Sequence, residues 1–287
     1  MPVADLQISA PELRAKWDAL AENLRSLGKI LVAFSGGVDS AFLAWAAQQA
    51  APSRVLAVIA DSPSLARTQL REALAFCEEN NIPVHSIATG EMRRPEYARN
   101  DSMRCFHCKD ELFTAMGRYR DENAFDTVAY GVNLDDQGDF RPGQQAAKRH
   151  GVSAPLLEAG LTKQDIRDFA RAAGLKIWDK PASACLSSRI EYGREVTAEA
   201  LRQVAQGEDA LRALGFRQFR VRHHGAIARI EIAREEFPRA MNLEMVAEFV
   251  RIFKTLGFTY VTLDLEGFRS GSMNAVLPLD SLQKTAP

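Results

Sequence analysis

The feature that most constrains the fold is a serine- and glycine-rich turn at residues 35–40, which lies between two apolar runs. Residues 30–34 form an apolar run that predicts a buried strand, and residues 41–47 predict a helix. Two adjacent glycines permit a tight turn, and the following helix directs its free N–H groups and positive dipole end at the same point. This order predicts an anion site, although a turn without a ligand fits the local pattern equally well.

The composition is that of an ordinary globular protein, with 46% hydrophobic and 25% charged residues, and 287 residues suit about two domains. The net charge of −1 argues against a general nucleic-acid binder and favours a small anionic ligand. The N-terminus has no apolar signal segment, and no apolar run approaches the roughly 20 residues of a membrane span. Four cysteines are too few for a secreted disulfide framework. We therefore expect a cytoplasmic protein with no membrane or nucleic-acid partner.

Apolar runs at 55–60, 83–87 and 127–130 predict three further strands, with helical patterns between them. Strands that alternate with helices predict an α/β fold with a doubly wound parallel sheet. Ligands of such sheets bind beyond the carboxyl ends of the strands, where the turn at 35–40 also lies. A helix from 161 to 173 should begin at Thr162, a suitable N-cap residue.

A polar segment punctuated by proline, residues 180–189, predicts the boundary between a first domain, 1–184, and a second, 185–287. Taken without other motifs, Ser188 and Arg189 in this segment fit residues that cap the segment after them. Beyond it, a helical pattern leads into alternating strand patterns, which predict a second, smaller α+β domain.

A second glycine- and aspartate-rich segment follows the fourth predicted strand. It begins at Gly131, and the carboxylates of Asp135 and Asp136 could hold a divalent cation. Arg141, further along, could face a phosphate or a carboxylate. A solvated loop also explains this segment, but its expected position opposite the turn at 35–40 favours a binding site.

Three of the four cysteines form a candidate metal or redox site. Cys105 and Cys108 make a CxxC pair ahead of a helical stretch, and Cys185 lies in the boundary segment. The pair fits a redox couple, half of a zinc site or two unremarkable thiols, whereas three thiolates could also hold an iron–sulfur cluster. The residues themselves leave zinc and a cluster as equal alternatives. Cys77 lies on the packed stripe of a predicted helix, which indicates a core position.

Two arginines lie at alternating positions of a predicted strand in the second domain. Arg220 and Arg222 share one face, while Phe219 and Val221 share the other. Such arginines are often solvated or matched with carboxylates such as Glu231, and a bound phosphate is the alternative.

These motifs resemble a known family at two levels. The hexapeptide SGGVDS resembles the pyrophosphate-binding loop (PP-loop) of the ATP pyrophosphatase superfamily, which implies an adenine nucleotide alpha hydrolase-like fold. The longer segments resemble the LarE family of ATP-dependent sulfur transferases, and the last three are the most selective. They are GVNLDD at 131–136, DFRPG at 139–143, PASACLSSR at 181–189, RVRHHGAIARIEI at 220–232 and VTLDLEGFRSGSMN at 261–274.

The resemblance implies a reaction on pyridinium-3,5-biscarboxylic acid mononucleotide, in the biosynthesis of the nickel-pincer nucleotide of lactate racemase. A carboxylate would attack ATP, with Mg²⁺ present, to give an acyl adenylate and pyrophosphate, and a sulfur nucleophile would then displace AMP. The first domain would be the PP-loop domain, and the second would serve substrate binding and assembly of a homo-oligomer. The residues expected to bind ATP, Mg²⁺ or the nucleotide substrate are Ser35, Gly36, Gly37, Asp39, Ser40, Gly131, Asp135, Arg141, Ser188, Arg189, Arg220 and Arg222.

One departure from the family bears on the sulfur source. Members with a single cysteine give up its sulfur, and that cysteine aligns with Ala184 in this chain, one position before Cys185. Those members also lack Cys105 and Cys108. The sequence therefore resembles a three-cysteine branch, which implies that Cys105, Cys108 and Cys185 are the catalytic residues and ligate a [4Fe–4S] cluster that carries sulfide.

Three other functions remain open at this point. A tRNA thiolase shares the phosphate loop, but the near-neutral charge and the lack of paired CxxC zinc knuckles argue against it. An amidotransferase-type synthetase would give the three cysteines no role. A nucleotide-sensing module would bind ATP without reaction.

Overall fold

The computed structural model describes residues 11–137, 142–181, 184–269 and Met273. Its strands are β1 (Ile30–Ala33), β2 (Val55–Asp61), β3 (Val84–Ala88), β4 (Thr127–Tyr130), β5 (Phe219–His224), β6 (Ile227–Ile232) and β7 (Tyr260–Leu263). Its helices are α1 (Pro11–Ser26), α2 (Val38–Ala50), α3 (Arg67–Glu79), α4 (Pro95–Ala98), α5 (Arg104–Glu122), α6 (Pro142–Arg149), α7 (Pro155–Glu158), α8 (Lys163–Ala172), α9 (Ala198–Ala213), α10 (Phe237–Ala240) and α11 (Leu243–Thr255). Within these residues, none of the helices combines the length and the apolar composition that a membrane crossing requires.

The first four strands form one parallel sheet in the order β3-β2-β1-β4. All four residues of β1 are buried, as expected for a central strand covered on both faces. Ile30 and Val32 pack into a core cluster with α1, α2, α3 and α8, whereas Leu31 and Ala33 pack with α5 and α6 on the other face. The predicted doubly wound α/β fold is therefore confirmed.

The strand order places a switch point between β1 and β4. From β1 the chain proceeds outward through β2 and β3, and then returns to add β4 on the other side of β1. The loops that follow β1 and β4 therefore leave neighbouring strands at the same edge of the sheet, where ligands of this fold class bind.

Two local predictions for this sheet and its helices are confirmed. Thr162 caps α8, because its side chain accepts a hydrogen bond from the backbone of Asp165 while the Asp165 carboxylate accepts one from the backbone of Thr162. Cys77 is fully buried in the core, and this burial raises the pKa of its thiol to about 12. The thiol therefore stays protonated and unreactive at neutral pH.

The chain divides into two compact units. The first contains the described residues of 11–90 and 105–181, and the second those of 91–104 and 184–273. The segment 91–104 thus belongs with the second unit. The predicted division into 1–184 and 185–287 assigns this segment to the first domain instead. Its buried Asn100 donates hydrogen bonds from its side-chain amide to carbonyl groups of the 190–194 segment, which explains the association.

The second unit is built on a three-stranded sheet in the order β5-β6-β7. The pair β5–β6 is antiparallel and the pair β6–β7 is parallel. Phe219 and Val221 point into a core cluster that includes Phe249 and Phe253 of α11, as the alternation along β5 predicts.

Candidate active site

The turn after β1 is closed by its two serines. Ser40 Oγ accepts a hydrogen bond from the Ser35 amide and donates one to the Gly37 carbonyl, both at 3.1 Å. Ser35 Oγ lies 3.1 Å from Ser40 Oγ. Gly36 has a φ of +70°, and a Cβ there would lie 2.7 Å from the Cβ of Ala73. The turn therefore requires glycine at this position, both for backbone conformation and for space.

The helix that leaves this turn begins without a side-chain cap. Gly37 is the N-cap residue, and the first intrahelical hydrogen bond runs from the Ala41 amide to the Gly37 carbonyl. The amides of residues 38–40 therefore have no acceptor inside the helix. An uncapped helix start directly after a glycine turn is a site that suits a phosphate group.

Gly131 brings the loop after β4 against this helix start. A Cβ on Gly131 would lie 2.8 Å from the Ser40 amide nitrogen and 2.9 Å from the Asp39 carbonyl carbon. Such distances are too short for any side chain, so only glycine allows this approach of two backbone segments. The sequence prediction that the two loops lie opposite each other is consistent with this contact.

Asp39 is held by a lysine that the sequence analysis did not identify. Lys163, the first residue of α8, donates from Nζ to both carboxylate oxygens of Asp39, at 2.7 and 2.6 Å. Asn133 Nδ2 donates a longer hydrogen bond of 3.4 Å to Asp39 Oδ1. Both groups belong to segments far from Asp39 in the sequence. The residues around Asp39 therefore do not predict these two contacts.

The two predicted metal-binding aspartates have structural partners instead of converging on one point. Asp135 accepts a hydrogen bond from the backbone amide of Lys163 at 2.8 Å, and Asp136 accepts one from the amide of Asn133 at 3.1 Å. Among the described residues, no group of three or more His, Cys, Asp or Glu side chains is arranged to hold a metal ion. The carboxylate that lies beside the helix start is that of Asp39.

Lys180 supplies a second cation at the turn. Its Nζ donates to the Gly36 carbonyl at 3.2 Å and to Glu72 Oε2 at 3.0 Å. The sequence analysis did not single out this residue either. Arg141, which was expected to face a phosphate, lies outside the described residues.

In the second unit, Arg189 is buried and holds the segment that carries Cys185. It pairs with Glu208 at 2.9 Å and donates to the carbonyl groups of Ala184 and Cys185. Ser188 Oγ also donates to the Cys185 carbonyl, at 2.7 Å. Most of the N–H donors of Arg189 are therefore already hydrogen-bonded within the protein. Arg189 stabilises the conformation of this segment and has few donors left for a ligand.

The two strand arginines differ in their surroundings. Arg222 is buried and pairs with Glu231 at 2.8 Å, as the carboxylate alternative for these arginines predicts. Arg220 is partly buried, donates to the Phe219 carbonyl at 2.6 Å and lies 5.0 Å from the Phe268 ring centre. Within the described chain, no carboxylate lies within ion-pair distance of it.

The electrostatic surroundings of Arg220 favour an anion. Burial is the main cause that lowers its pKa to about 10, and the neighbouring charges of Arg189 and Arg222 lower it further, against the opposing effect of Glu208 and Glu231. The guanidinium nevertheless stays charged at neutral pH. A bound anion would offset the cost of burying this charge.

The three candidate cysteines are divided between the two units, with Cys105 and Cys108 in the first and Cys185 in the second. Cys105 is exposed and Cys108 is partly exposed, and their spacing of three residues places them on one face of α5. Cys185, also partly exposed, precedes the short 3₁₀ turn Leu186–Arg189 of the second unit.

Comparison with known proteins identifies the family. A sequence model of the NAD synthase family matches residues 13–108, which include β1 and the turn after it. The pyridinium-3,5-bisthiocarboxylic acid mononucleotide synthase of Lactiplantibacillus plantarum is 34% identical over 269 residues, which cover 92% of this chain and 96% of that protein. The chain belongs to the LarE family, that of this synthase. Its first unit has the PP-loop fold of that family.

This chain is also similar to two uncharacterized proteins. An uncharacterized protein of Synechocystis is 40% identical over 265 residues, 92% of this chain and 99% of that protein. An uncharacterized protein of Methanocaldococcus jannaschii is 28% identical over 242 residues, 84% of this chain and 91% of that protein. The likeness to all three proteins spans both compact units.

Proposed function

We propose that this chain is an ATP-dependent sulfurtransferase that converts the carboxylates of pyridinium-3,5-biscarboxylic acid mononucleotide to thiocarboxylates. The observation that carries this assignment is the group of amides and charged side chains after β1, where Lys163 and Asp39 lie beside an uncapped helix start. We refer to the amides of residues 38–40 together with Asp39, Lys163 and Lys180 as the cradle. It occurs in a chain that matches a pyridinium-3,5-bisthiocarboxylic acid mononucleotide synthase over 92% of its length.

The cradle suits the pyrophosphate part of ATP. The amides of residues 38–40 would donate to phosphate oxygens, and Lys163 and Lys180 would add positive charge. Asp39 would be the carboxylate that holds a Mg²⁺ ion accompanying ATP, since Mg²⁺ in such sites uses one or two carboxylates together with phosphate oxygens. Bound Mg²⁺ would neutralise charge on the leaving pyrophosphate.

In the activation step, a carboxylate oxygen of the substrate forms a bond to the α-phosphorus of ATP. The bond from that phosphorus to the bridging oxygen breaks, and pyrophosphate leaves with the electron pair. Negative charge therefore increases on the pyrophosphate, where the helix amides and the two lysines stabilise it. None of these residues has to transfer a proton, so positioning and electrostatics account for their part in the step.

Arg220 is the residue that we assign to the phosphate of the nucleotide substrate. It is the strand arginine without an ion-paired carboxylate among the described residues, and its surroundings favour an anion. Arg222 and Arg189 keep the local shape through Glu231 and Glu208. Ser188 contributes its carbonyl, which accepts from Arg222 at 3.3 Å.

We further propose that Cys105, Cys108 and Cys185 ligate a [4Fe–4S] cluster. The placement of Cys105 and Cys108 on one helical face fits two ligands of a common centre, and Cys185 of the second unit would be the third ligand. A cluster with three thiolate ligands would supply an open iron position to hold sulfide. No step of the activation chemistry above depends on it.

The sulfur source can be tested independently of the activation step. Anaerobic protein reconstituted with iron and sulfide should contain iron, show a broad visible absorption lost in air, and complete several turnovers per chain when excess sulfide is present in the assay. Loss of one sulfur per chain, with the mass of dehydroalanine at a cysteine, would contradict the cluster. Zinc without iron in the native protein would contradict it as well.

The activation step is tested by pyrophosphate release from ATP. Release should require the pyridinium dicarboxylate nucleotide and should be absent with bulk tRNA. Salt-sensitive binding of tRNA in a filter assay would instead favour a tRNA thiolase. ATP binding without any release in the presence of authentic substrate would favour a nucleotide sensor.

A further inference from the structure

Three buried polar side chains of the 91–104 segment contact the residues that follow Cys185. Tyr97, Asn100 and Arg104 are only 1%, 0% and 4% exposed. Side chains of these types are buried where other groups satisfy their hydrogen bonds, because an unsatisfied polar group in the interior is costly. We refer to these three side chains as the anchor residues.

Two of the anchor residues converge on Ser187, which is itself fully buried. The Tyr97 hydroxyl lies 2.5 Å from Ser187 Oγ, and Arg104 Nη1 donates to the Ser187 carbonyl at 2.9 Å. Ser187 is therefore held through its side chain and its backbone, by residues 90 and 83 positions earlier in the chain.

Asn100 keeps the Arg104 side chain in place. Its Oδ1 accepts a hydrogen bond from Arg104 Nη1. Its Nδ2 donates to the carbonyls of Glu191 and Arg194, at 2.8 and 3.0 Å. The backbone of Asn100 has a φ of +57°, in the left-handed region that asparagine adopts more readily than most residues with a side chain. Asn100 therefore fixes the orientation of the guanidinium group that reaches Ser187.

The 3₁₀ turn connects the position of Ser187 to that of Cys185. The Ser188 amide donates to the Cys185 carbonyl at 3.0 Å, and the Ser188 hydroxyl donates to the same carbonyl at 2.7 Å. The Ile190 amide donates to the Ser187 carbonyl at 3.1 Å, which continues the same tight i→i+3 pattern. A shift of Ser187 would therefore move the backbone of Cys185, since only Leu186 separates the two residues.

Such a network provides geometry more than stability. Apolar side chains of similar volume often stabilise a protein as well as buried charged groups do, whereas a hydrogen-bonded polar network specifies one arrangement. Arg104 donates to the Ser187 carbonyl, and Arg189 donates to the carbonyls of Ala184 and Cys185. Two buried guanidinium groups thus hold the short segment that carries Cys185.

We propose that the anchor residues are positioning residues for Cys185 in the sulfur-transfer step. They act through Ser187 and need no contact with the substrate. This inference rests on the proposed sulfurtransferase function, in which Cys185 helps to hold the sulfur that displaces AMP. A misplacement of about 1 Å can slow a reaction roughly 100-fold, so loss of an anchor contact should slow the transfer step.

Measuring the two half-reactions separates positioning from activation. Reconstituted protein with excess sulfide is mixed anaerobically with ATP and the pyridinium dicarboxylate nucleotide, and pyrophosphate and thiocarboxylate are both followed through the first turnover. Tyr97→Phe should slow thiocarboxylate formation about tenfold, because Ser187 loses a buried hydrogen bond. The first release of pyrophosphate should keep its normal rate, since the cradle belongs to the first unit. Tyr260→Phe, at a position 60% exposed on β7, is the control and should change neither rate.

A double-mutant cycle assigns the effect to the contact between Tyr97 and Ser187. Ser187→Ala removes the other hydroxyl and should also slow transfer about tenfold. The double variant should transfer no more slowly than the slower single variant, because both changes remove the same hydrogen bond.

Arg104 is tested by a conservative change. Arg104→Lys keeps a donor for the Ser187 carbonyl and should retain more transfer than Arg104→Met. Arg99→Met, at an exposed position of the same segment, should transfer sulfur at the normal rate.

Amide hydrogen exchange of the metal-free protein tests the conformation of the turn without any activity. In Tyr97→Phe the amides of Ser188 and Ile190 should exchange about tenfold faster, because the turn opens more often. The amide of Ile230, in the middle of β6, should exchange at its normal rate, which establishes that the second unit remains folded.

Four results would overturn the positioning role. They are unchanged thiocarboxylate formation in Tyr97→Phe, an equal fall in its pyrophosphate and thiocarboxylate rates, fully additive effects in the double variant, and unchanged exchange at Ser188 and Ile190. An unaltered chain that releases no pyrophosphate or forms no thiocarboxylate would contradict the proposed function as well. Normal activity of the unaltered chain together with normal transfer in Tyr97→Phe would contradict the positioning role alone.

Discussion

Lys163 Nζ lies within 2.7 Å of both carboxylate oxygens of Asp39, across 124 residues of sequence. The two side chains are 32% and 23% exposed, so water screens the pair and its contribution to folding should be about 1 kcal/mol or less. The same pair lies beside the uncapped start of α2. Its main effect should therefore be on ATP chemistry and only weakly on stability.

Lys163→Met should lower the rate of substrate-dependent pyrophosphate release by about 100-fold, because the variant lacks the charge that we propose stabilises the leaving pyrophosphate. The urea midpoint should change little. Lys176→Met is the matched control, since Lys176 forms an exposed ion pair with Glu79 on the same unit. Equal rates for the two variants would contradict the role of Lys163.

Gly131→Ala should abolish most ATP binding and destabilise the protein by about 1–3 kcal/mol, because the added methyl group meets the backbone of Asp39 and Ser40 at less than 3 Å. Calorimetric titration with ATP and urea unfolding measure the two effects. Gly117→Ala, in the middle of α5 with open space around it, should keep ATP binding and gain up to about 1 kcal/mol. Normal ATP affinity in Gly131→Ala would rule out the close approach.

Arg220→Met should raise the KM for the nucleotide substrate by about 10- to 100-fold, the effect of one charge-assisted hydrogen bond, with a smaller change in kcat. Because the pKa of Arg220 is about 10, the effect should be present throughout the neutral range. Arg217→Met, at an exposed position beside the same strand, is the control. A fall in kcat with KM unchanged would show that Arg220 does not bind substrate in the ground state.

His223 should make the stability of the second unit depend on pH. It is buried, its Nδ1 accepts from the Gly225 amide and its Nε2 lies 3.0 Å from Gln203 Oε1, so it is neutral. Burial, together with the charge of Arg194, lowers the pKa of His223 below its ordinary value of 6.5. As the pH falls below about 6.5, His223 becomes protonated in the unfolded chain but stays neutral in the folded chain. The free energy of unfolding therefore falls as the pH is lowered.

The measurement is the urea midpoint at about pH 7.5 and about pH 5.5, where one such group changes the free energy of unfolding by at most about 1.4 kcal/mol per pH unit. His223→Gln should flatten this dependence, whereas His85→Gln, at an exposed position, should not. If the stability of His223→Gln still depended steeply on pH, other groups would be responsible for the pH dependence.

Features that depend on short stretches of sequence could be predicted. The strand, glycine turn and helix around residues 35–40, the Thr162 cap and the buried Cys77 each follow from residue types within a few positions. Glu231 was also a correct partner for Arg222, because the two occupy neighbouring strands.

Contacts between distant elements could not be predicted in the same way. Lys163 and Lys180 reach the turn after β1 only because α8 and the residues that follow it fold back onto the sheet edge. The pairing of Arg189 with Glu208 depends likewise on how α9 packs. Asp135 and Asp136 had the residue types of a metal site, but nearby backbone amides compete for their oxygens.

The most direct test of the central claim uses a pyridinium dicarboxylate nucleotide whose carboxylate oxygens are oxygen-18. If the carboxylate attacks the α-phosphorus and sulfur then displaces AMP, each AMP released must carry one labelled oxygen, and the product must contain sulfur in its place. We predict labelled AMP together with unlabelled pyrophosphate. Unlabelled AMP, or ADP together with labelled phosphate, would contradict activation as an acyl adenylate.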